Sequence, residues 1–297
     1  MSMLHLISVV GEYADVLPHM LSHYQSLGID DFIIHAHATS SDDPILAKIS
    51  TYAAEVGAVV ASTSIVPWIT SLNSVLYTIS RSEYSDDWFI IADQDELQSY
   101  PDNLRSIIRY CDQNGYTFIE GSLVDRLSLD GKLNKVNRDQ TIWEQFPLGS
   151  MLSGALLGAV TNKIVAVKGS VRLEDGQHRG YSGFGCPPQS VYVPVNHFKW
   201  VEDIDLRMER RIALNRKFRN PATDLYTYEC DRFLRYYKQE GCIRIDDPNL
   251  MVARCNPDYP HWDRVKEWRS VAHFFAPDLA LNFHRKSRRE ALHRGPI

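Results

Sequence analysis

The part of the sequence best suited to chemistry is an acidic run that follows a short apolar segment. Residues 88–92 read WFIIA and residues 93–96 read DQDE. Because one residue separates Asp93 from Asp95, both carboxylates can turn toward the same side as the chain leaves the apolar segment. Two carboxylates on the same side repel each other unless a cation lies between them. Mg²⁺ or Mn²⁺ would relieve this repulsion, since these ions prefer oxygen ligands and are often shared with substrate phosphates. The alternative interpretation is a solvated acidic turn that caps the next helix.

The elements around this run alternate between strands and helices. Residues 4–10, 31–38, 58–64 and 88–92 predict strands, and apolar residues at helical spacing lie between them. A continuous apolar run such as 88–92 is typical of a strand that is covered on both faces. Repeated strand–helix units predict an α/β protein with a mostly parallel sheet. Such sheets bind ligands beyond the carboxyl ends of their strands, where the acidic run is expected.

Length and composition fit this fold class. A chain of 297 residues that is 44% hydrophobic can bury a large core. Its five cysteines form no CxxC pair, which argues against a zinc site and against a disulfide framework. The net charge of −5 gives no global reason to expect nucleic acid or a membrane as partner. We found no apolar stretch of about 20 residues and no signal peptide, so we expect no transmembrane segment and a cytoplasmic protein.

The sequence resembles the GT-A fold glycosyltransferases, in particular their family 2-like branch. The likeness rests on the strand ending in DQDE, on VVGEYADVLPHMLSHYQSLGIDDFIIHAHA at residues 9–38, on LEDGQH at 173–178 and on VNHFKWVEDI at 195–204. The resemblance implies a Rossmann-like GT-A sheet flanked by helices. It also implies a metal-dependent, inverting transfer of a sugar from a nucleotide-diphosphate sugar to an acceptor hydroxyl, with the acceptor unknown.

The resemblance implies a metal site that uses Mn²⁺ or Mg²⁺. Asp95 matches the direct metal ligand, and Asp93 is placed to reach either the metal or the ribose. Glu96 orients its neighbours or caps the following turn. His197, at the end of a later strand, is expected to complete the metal shell, although His178 competes for this role. A histidine paired only with a backbone carbonyl is the alternative for His197.

The resemblance also implies residues for the nucleotide and for catalysis. Glu12 and Tyr13 follow the first strand, and Asn73 lies on a helix that faces the nucleotide in the family. Surface or capping roles are the alternatives for these three residues. Glu174 and Asp175 are candidate general bases, the alternative being two solvated acids in a polar loop.

Uridine diphosphate is the expected donor nucleotide because it is frequent in the family. A pyrimidine would stack on Tyr13. Relatives usually place an Asp-Asn pair after the second strand to hold uracil, whereas residues 35–38 of this chain read HAHA. The residues at that position therefore do not themselves indicate uridine.

The chain is predicted to consist of two regions. Residues 1–200 would form the GT-A nucleotide-sugar-binding and catalytic domain, and residues 201–297 a helical C-terminal region on the acceptor side. Trp262 and Trp268 are either sugar-stacking surfaces or packing residues. The basic tail, residues 284–297, is expected to contact an anionic surface weakly or to be a solvated tail.

Two functions of other kinds stay open. A non-catalytic carbohydrate-binding or scaffold protein derived from a transferase would keep the fold and lose the acids, but both Asp93 and Asp95 are present. A sugar nucleotidylyltransferase would need a glycine-rich phosphate loop with a basic residue directly after the first strand. Residues 8–16 read SVVGEYADV, with one glycine and no Lys or Arg.

Overall fold

The computed structural model describes residues 2–68, 70–218 and 224–255. Its strands are β1 (Leu4–Gly11), β2 (Asp31–Ala38), β3 (Val59–Ile65), β4 (Trp88–Ile91), β5 (Glu96–Gln98), β6 (Phe118–Leu127), β7 (Leu148–Ser150), β8 (Asn162–Lys168), β9 (Val193–His197) and β10 (Ala253–Arg254). Its helices are α1 (Leu17–Ser26), α2 (Ile45–Glu55), α3 (Thr70–Arg81), α4 (Leu104–Gln113), α5 (Ile142–Gln145), α6 (Ile204–Phe218) and α7 (Asp224–Glu240). Short helical turns span Ser153–Leu157 and Pro248–Leu250.

The described strands form one sheet in the order β10-β7-β6-β8-β4-β1-β2-β3, and β9 pairs with β5 and β6 beside this path. The four strands β3, β2, β1 and β4 are parallel, whereas β8 and β6 continue the sheet in antiparallel pairing. The predicted α/β fold, with a parallel sheet flanked by helices, is confirmed. The chain order reverses at β1, which has β2 on one side and β4 on the other. Open α/β sheets bind ligands at such a switch point.

The core explains why the central strands are continuously apolar. Side chains of a strand alternate between its two faces, and in β1 both faces are covered. Leu6 and Val10 belong to the hydrophobic cluster that includes α1 and α4, whereas Ile7 and Val9 pack in the cluster that contains Tyr77 of α3. β3 differs because it lies at the sheet edge, where Val59 is 77% exposed.

The C-terminal described helices share a separate hydrophobic cluster with β6. Trp200, Ile204 and Met208 pack there with Phe233 of α7 and Leu127 of β6. None of the described helices is long and apolar enough to cross a membrane. Trp262, Trp268 and the basic tail lie outside the described residues, so their predicted roles stay predictions, as does a domain boundary at residue 200.

Candidate active site

The acidic run follows β4 directly and is fastened to the end of β1. The Nε2 amide of Gln94 donates to the carbonyl of Gly11 at 2.9 Å, and the Gly11 N–H donates to Oε1 of Gln94 at 3.1 Å. These two bonds hold the loop that contains Glu12 and Tyr13 against the acidic run. Glu12 has a φ of 58°, a left-handed conformation that is uncommon for a residue other than glycine.

Asp93 and Glu96 flank the buried ammonium of Lys163, and we call these three residues the closed cluster. The Nζ of Lys163 lies 3.0 Å from Oδ2 of Asp93 and 2.9 Å from Oε1 of Glu96. The hydroxyl of Tyr77 donates to the other Asp93 oxygen at 3.2 Å. Burial alone would lower the pKa of Lys163, but the two carboxylates outweigh it and raise that pKa. Burial raises the pKa of Glu96, whereas the pKa of Asp93 is lowered, because Lys163 and the other groups around Asp93 outweigh its burial.

The carboxylate of Asp95 lies near the imidazole of His197. The distance from Oδ2 of Asp95 to Nε2 of His197 is 3.9 Å, which is too long for a hydrogen bond. The Nδ1 of His197 lies 3.0 Å from Oδ1 of Asp125. Because an ionised carboxylate only accepts hydrogen bonds, Nδ1 carries a proton. In the neutral ring the lone pair of Nε2 is then left on the side of Asp95.

The carboxylate of Asp125 is held by several donors. It accepts hydrogen bonds from the N–H and hydroxyl of Ser153 at 2.6 and 2.7 Å and from Nε1 of Trp200 at 2.8 Å. Burial alone would raise the pKa of Asp125, but His197 and the donors of Ser153 and Trp200 together lower it, so the carboxylate is ionised at neutral pH. Burial alone would lower the pKa of His197, but Asp125 and Asp95 raise it.

Two arginines of α6 reach the loop after β1. The Nε and Nη2 atoms of Arg211 each lie 2.6 Å from Oε2 of Glu12. The guanidinium of Arg207 lies 4.5 Å from the centre of the Tyr13 ring and interacts electrostatically with Asp95. Arg207 is 3% exposed, and its Nε and Nη2 have no hydrogen-bond partner within the described chain. We call Asp95, His197 and Arg207 the open cluster.

Asn73 lies on α3 one turn before Tyr77, on the helix face that contacts Asp93. Its Oδ1 is buried and has no hydrogen-bond partner among residues 2–68, 70–218 and 224–255. A buried amide oxygen without a partner is unusual and suits a site that a ligand completes. Its role in nucleotide binding stays a prediction.

The histidines of β2 lie where relatives usually have the uracil-binding pair. The two ring nitrogens of His35 lie 2.7 and 2.8 Å from the hydroxyls of Ser62 and Ser80, so this residue is fully bonded within the fold. The Nδ1 of His37 lies 3.0 Å from the hydroxyl of Ser64. The Nε2 of His37 is buried without a partner in the described structure, on a ring that interacts electrostatically with Glu12.

His178 is held by the backbone. Its Nδ1 lies 2.7 Å from the carbonyl of Asn162, next to Lys163. Burial and then Lys163 lower the pKa of His178 to about 4, so the ring is neutral at ordinary pH. Gly176 precedes it with a φ of 81°, a left-handed conformation that glycine adopts readily.

Glu174 and Asp175 belong to the same tight turn as His178. The N–H of Gln177 donates to the carbonyl of Glu174 at 3.0 Å, and the N–H of Ile164 donates to the carbonyl of Gln177 at 2.7 Å. The turn therefore lies against the end of β8 that carries Lys163. Glu174 is half-buried and Asp175 is exposed, and their catalytic role stays a prediction.

The geometry fits a metal ion that is shared with a substrate. Within the described residues, no group of three His, Cys, Asp or Glu side chains is arranged to hold a metal ion by itself. Asp95 and His197 offer one oxygen and one nitrogen ligand, and phosphates commonly supply further ligands to Mg²⁺ or Mn²⁺. Asp125 orients His197 in the way that carboxylates orient metal-binding histidines.

Sequence reasoning missed several residues of this site. All are charged or polar and are buried or partly buried in the structure: Tyr77, Asp125, Lys163, Arg207 and Arg211. Asp125 interrupts the apolar run of a strand, and Lys163 precedes another. Arg207 and Arg211 are four residues apart, so they share one face of a helix. For Asp125 and Lys163, a charged residue within or directly before an apolar strand segment was the signal available in the sequence.

Comparisons with known proteins give structural matches only. No protein-family model and no curated protein sequence matches this chain. In structure it is similar to S. aureus TarS 1-349 in complex with UDP, at 9% identity and a TM-score of 0.33 over 80% of this chain and 72% of that one. A longer TarS structure matches at 8% identity and a TM-score of 0.34, over 75% of this chain and 44% of that one. This chain thus spans less than half of the longer TarS structure.

Other matches include a glycosyltransferase and a nucleotidyltransferase. Glucosyl-3-phosphoglycerate synthase from Mycobacterium tuberculosis, in complex with Mn²⁺, UDP and glucosyl-3-phosphoglycerate, matches at 14% identity and a TM-score of 0.30 over 57% of each chain. A putative glucose-1-phosphate thymidylyltransferase from Bacillus anthracis matches at 10% identity and a TM-score of 0.29, over 78% of this chain and 84% of that one. These TM-scores are low, so the function of this chain has to be inferred from its own residues.

Proposed function

We propose that the protein is a metal-dependent glycosyltransferase that moves a sugar from a nucleotide-diphosphate sugar to an acceptor hydroxyl. The observation that carries the proposal is the pairing of Asp95 with Nε2 of His197 at the carboxyl end of β4. The Asp95 carboxylate and Nε2 of His197 lie near each other without a hydrogen bond between them, next to the loop after β1. An oxygen and a nitrogen ligand at the switch point of an α/β sheet suit a cation that binds a nucleotide diphosphate.

Asp95 and His197 would hold the Mn²⁺ or Mg²⁺ ion. A cation bound there would offset the charge that develops on the leaving diphosphate, an effect worth several kcal/mol. Asp125 keeps the proton on Nδ1 of His197, which leaves the other ring nitrogen free to act as a ligand. Asp93 keeps its predicted role near the ribose or the metal, although each of its oxygens already accepts one hydrogen bond.

The donor nucleotide would lie between the loop after β1 and the start of α3. Glu12 and Tyr13 line the first side, and Asn73 lies on the second. The buried Oδ1 of Asn73 and Nε2 of His37 lack partners in the described part of the chain, and a bound nucleoside can supply them. Arg207 lies over the Tyr13 ring, which also packs against the hydrophobic core, and stacking of a pyrimidine on Tyr13 is part of this proposal. Uridine diphosphate is the proposed nucleotide.

Asp175, with Glu174 as the alternative, would accept the proton of the acceptor hydroxyl in an inverting reaction. General-base assistance of this kind contributes about 10²- to 10⁴-fold in rate. The turn that contains both acids lies beside Lys163 and so beside the closed cluster. Residues 201–297 are proposed to face the acceptor.

Calorimetry of metal and nucleotide binding tests the proposal. The wild-type protein should bind UDP more tightly with Mn²⁺ than with a chelator, and Asp95→Asn should remove most of this difference. In thermal melts with Mn²⁺, a ligand at 100 times its dissociation constant should stabilise the protein by about 2.7 kcal/mol. UDP should do so at lower concentration than GDP, ADP or TDP. Equal Mn²⁺ and UDP affinities in wild type and Asp95→Asn would contradict the metal assignment. A larger shift in melting temperature with GDP than with UDP would contradict only the assignment of uridine as the donor base.

A further inference from the structure

We infer that Arg207 of α6 binds the diphosphate of the donor directly, through the Nε and Nη2 edge of its guanidinium. The inference rests on the proposed function, which it extends by a binding residue that lies more than 100 positions after the acidic run in the sequence. It assigns α6 to the donor side of the site as well. The ligand chemistry is that of an inorganic or nucleoside diphosphate.

The first step of the argument is that the guanidinium of Arg207 is incomplete within the protein. The residue is 3% exposed, yet Nε and Nη2 meet no acceptor in the described structure. Burying a charged donor without a partner is costly, so such groups are nearly always paired in folded proteins. Its neighbour Arg211, by contrast, is paired with Glu12. An anion that enters the site would supply the acceptors that Arg207 lacks.

The second step is that the nearby protein groups do not replace such an anion. The face of the Tyr13 ring lies 4.5 Å from the guanidinium and attracts its positive charge. A ring face, however, does not accept an ordinary hydrogen bond from Nε or Nη2 of Arg207. Asp95 interacts with Arg207 electrostatically, but no hydrogen bond joins them in the described structure. Glu12 also attracts Arg207, but its Oε2 is bonded to Arg211. Arg207 is therefore held in place by these groups without being saturated by them.

The third step is the position of Arg207 between the two ends of a bound nucleotide. Tyr13, on the nucleoside side, lies under the guanidinium, and Asp95, on the metal side, lies within electrostatic range. The part of the donor that connects these two places is the diphosphate. Adjacent N–H groups of a guanidinium match two phosphate oxygens in parallel, a geometry that a lysine ammonium cannot reproduce.

Pyrophosphate, UDP and uridine are suitable probes, with binding measured by calorimetry both with Mn²⁺ and with a chelator. Arg207→Met should weaken the binding of pyrophosphate and of UDP by about 10- to 100-fold, because hydrogen bonds to charged groups are lost. Uridine affinity should stay unchanged, since it has no phosphate. Arg210→Met is the matched control, because Arg210 is an exposed arginine of the same helix, and it should bind all three probes as the wild type does.

The melting temperature of the ligand-free protein separates a binding role from a structural one. Removal of an unpartnered buried charge should leave it unchanged or raise it. Pyrophosphate affinity in Arg207→Met equal to that of Arg210→Met would overturn the inference, whatever the melting temperature. If Arg207→Met does not fold, Arg207→Lys takes its place. This variant keeps the charge but loses the paired bonds, and an unchanged pyrophosphate affinity there would overturn the inference as well.

The inference and the proposed function fail in different ways. If Asp95→Asn keeps its Mn²⁺ affinity but Arg207→Met loses pyrophosphate, the metal site is wrong and Arg207 is still an anion-binding residue. If Asp95→Asn loses Mn²⁺ while Arg207→Met binds pyrophosphate normally, the proposed function stands and the inference is wrong. The uridine measurement shows whether a loss of UDP binding comes from the phosphates or from a disturbed nucleoside site.

Discussion

The closed cluster and the open cluster are neighbours at the end of β4, yet their charges are balanced in different ways. In the closed cluster, Lys163 lies between Asp93 and Glu96 at 3.0 and 2.9 Å, so the protein supplies its own cation. In the open cluster, Asp95 and His197 stand 3.9 Å apart without a hydrogen bond, and a buried guanidinium lacks acceptors in the described chain. Asp93 and Asp95 are therefore used differently, since Asp93 is paired with Lys163 inside the protein whereas Asp95 has no partner as close.

This difference separates groups that support the fold from groups that await a ligand. A buried charge with an internal partner contributes to stability only through that partner, and removing the partner is strongly destabilising. A group without a complete set of partners costs stability and gains its partners on binding. Substitutions in the closed cluster should therefore affect folding first, whereas substitutions in the open cluster should affect binding first.

The largest effect is expected for Lys163→Met. Without the ammonium, Asp93 and Glu96 would remain close together with no cation, which should lower the free energy of unfolding by about 3–5 kcal/mol. Urea denaturation at neutral pH measures the change. Lys168→Met is the matched control, because the Lys168–Asp112 pair is partly exposed and should be worth about 1 kcal/mol or less. Equal losses in the two variants would remove the distinction between the clusters.

A smaller loss is expected for Asp125→Ala, which tests the support behind the open cluster. The change leaves buried donors of Ser153, Trp200 and His197 unpaired and should cost about 2–3 kcal/mol. It should also weaken Mn²⁺ by about 10- to 100-fold, because the His197 ring loses its orientation. Ser153→Ala keeps the carboxylate and should retain metal affinity. Unchanged Mn²⁺ affinity in Asp125→Ala would show that His197 does not depend on Asp125.

The pH dependence of stability tests the ring of His178, which interacts electrostatically with Lys163, Asp93 and Arg179. Its pKa of about 4 lies below the ordinary value of 6.5. Between these pH values, His178 is protonated in the unfolded chain but not in the folded protein, so the free energy of unfolding falls as the pH falls from 7 toward 4. In His178→Gln, the decrease in the free energy of unfolding between pH 7 and pH 5 should be smaller than in the wild type by about 1–2 kcal/mol. If the free energy of unfolding depends on pH in the same way in the wild type and in His178→Gln, this prediction is wrong.

The smallest effect on stability is expected for Asp95→Asn. Asp95 has no internal ion-pair partner as close as that of Asp93, so the free energy of unfolding should change by about 0.5 kcal/mol or less. Mn²⁺ affinity should nevertheless fall sharply. Asp93→Asn is the counterpart, with a larger loss of stability because Lys163 would lose one of its two carboxylate partners. If Asp93→Asn loses more Mn²⁺ affinity than Asp95→Asn, the two aspartates have to exchange roles.

The sequence by itself determined the alternation of strands and helices and the place of the acidic run. Continuous apolar character at residues 88–92 predicted a strand covered on both faces, and β4 is buried throughout. Helical spacing predicted α1 and α4, whose inward residues are the apolar ones. These features are local, because side-chain direction follows directly from the backbone period of two or 3.6 residues.

Only the tertiary structure decided which charges meet. Lys163 lies 70 residues from Asp93 along the chain, and Arg211 lies 199 residues from Glu12. Strand order brings the first pair together, since β8 inserts beside β4 in antiparallel pairing and carries its first residues to the carboxyl end of β4. Local periodicity reports whether a position is buried, but the partner of a buried charge depends on the order of the strands and the docking of α6. The closed and open clusters could therefore not be told apart from the sequence.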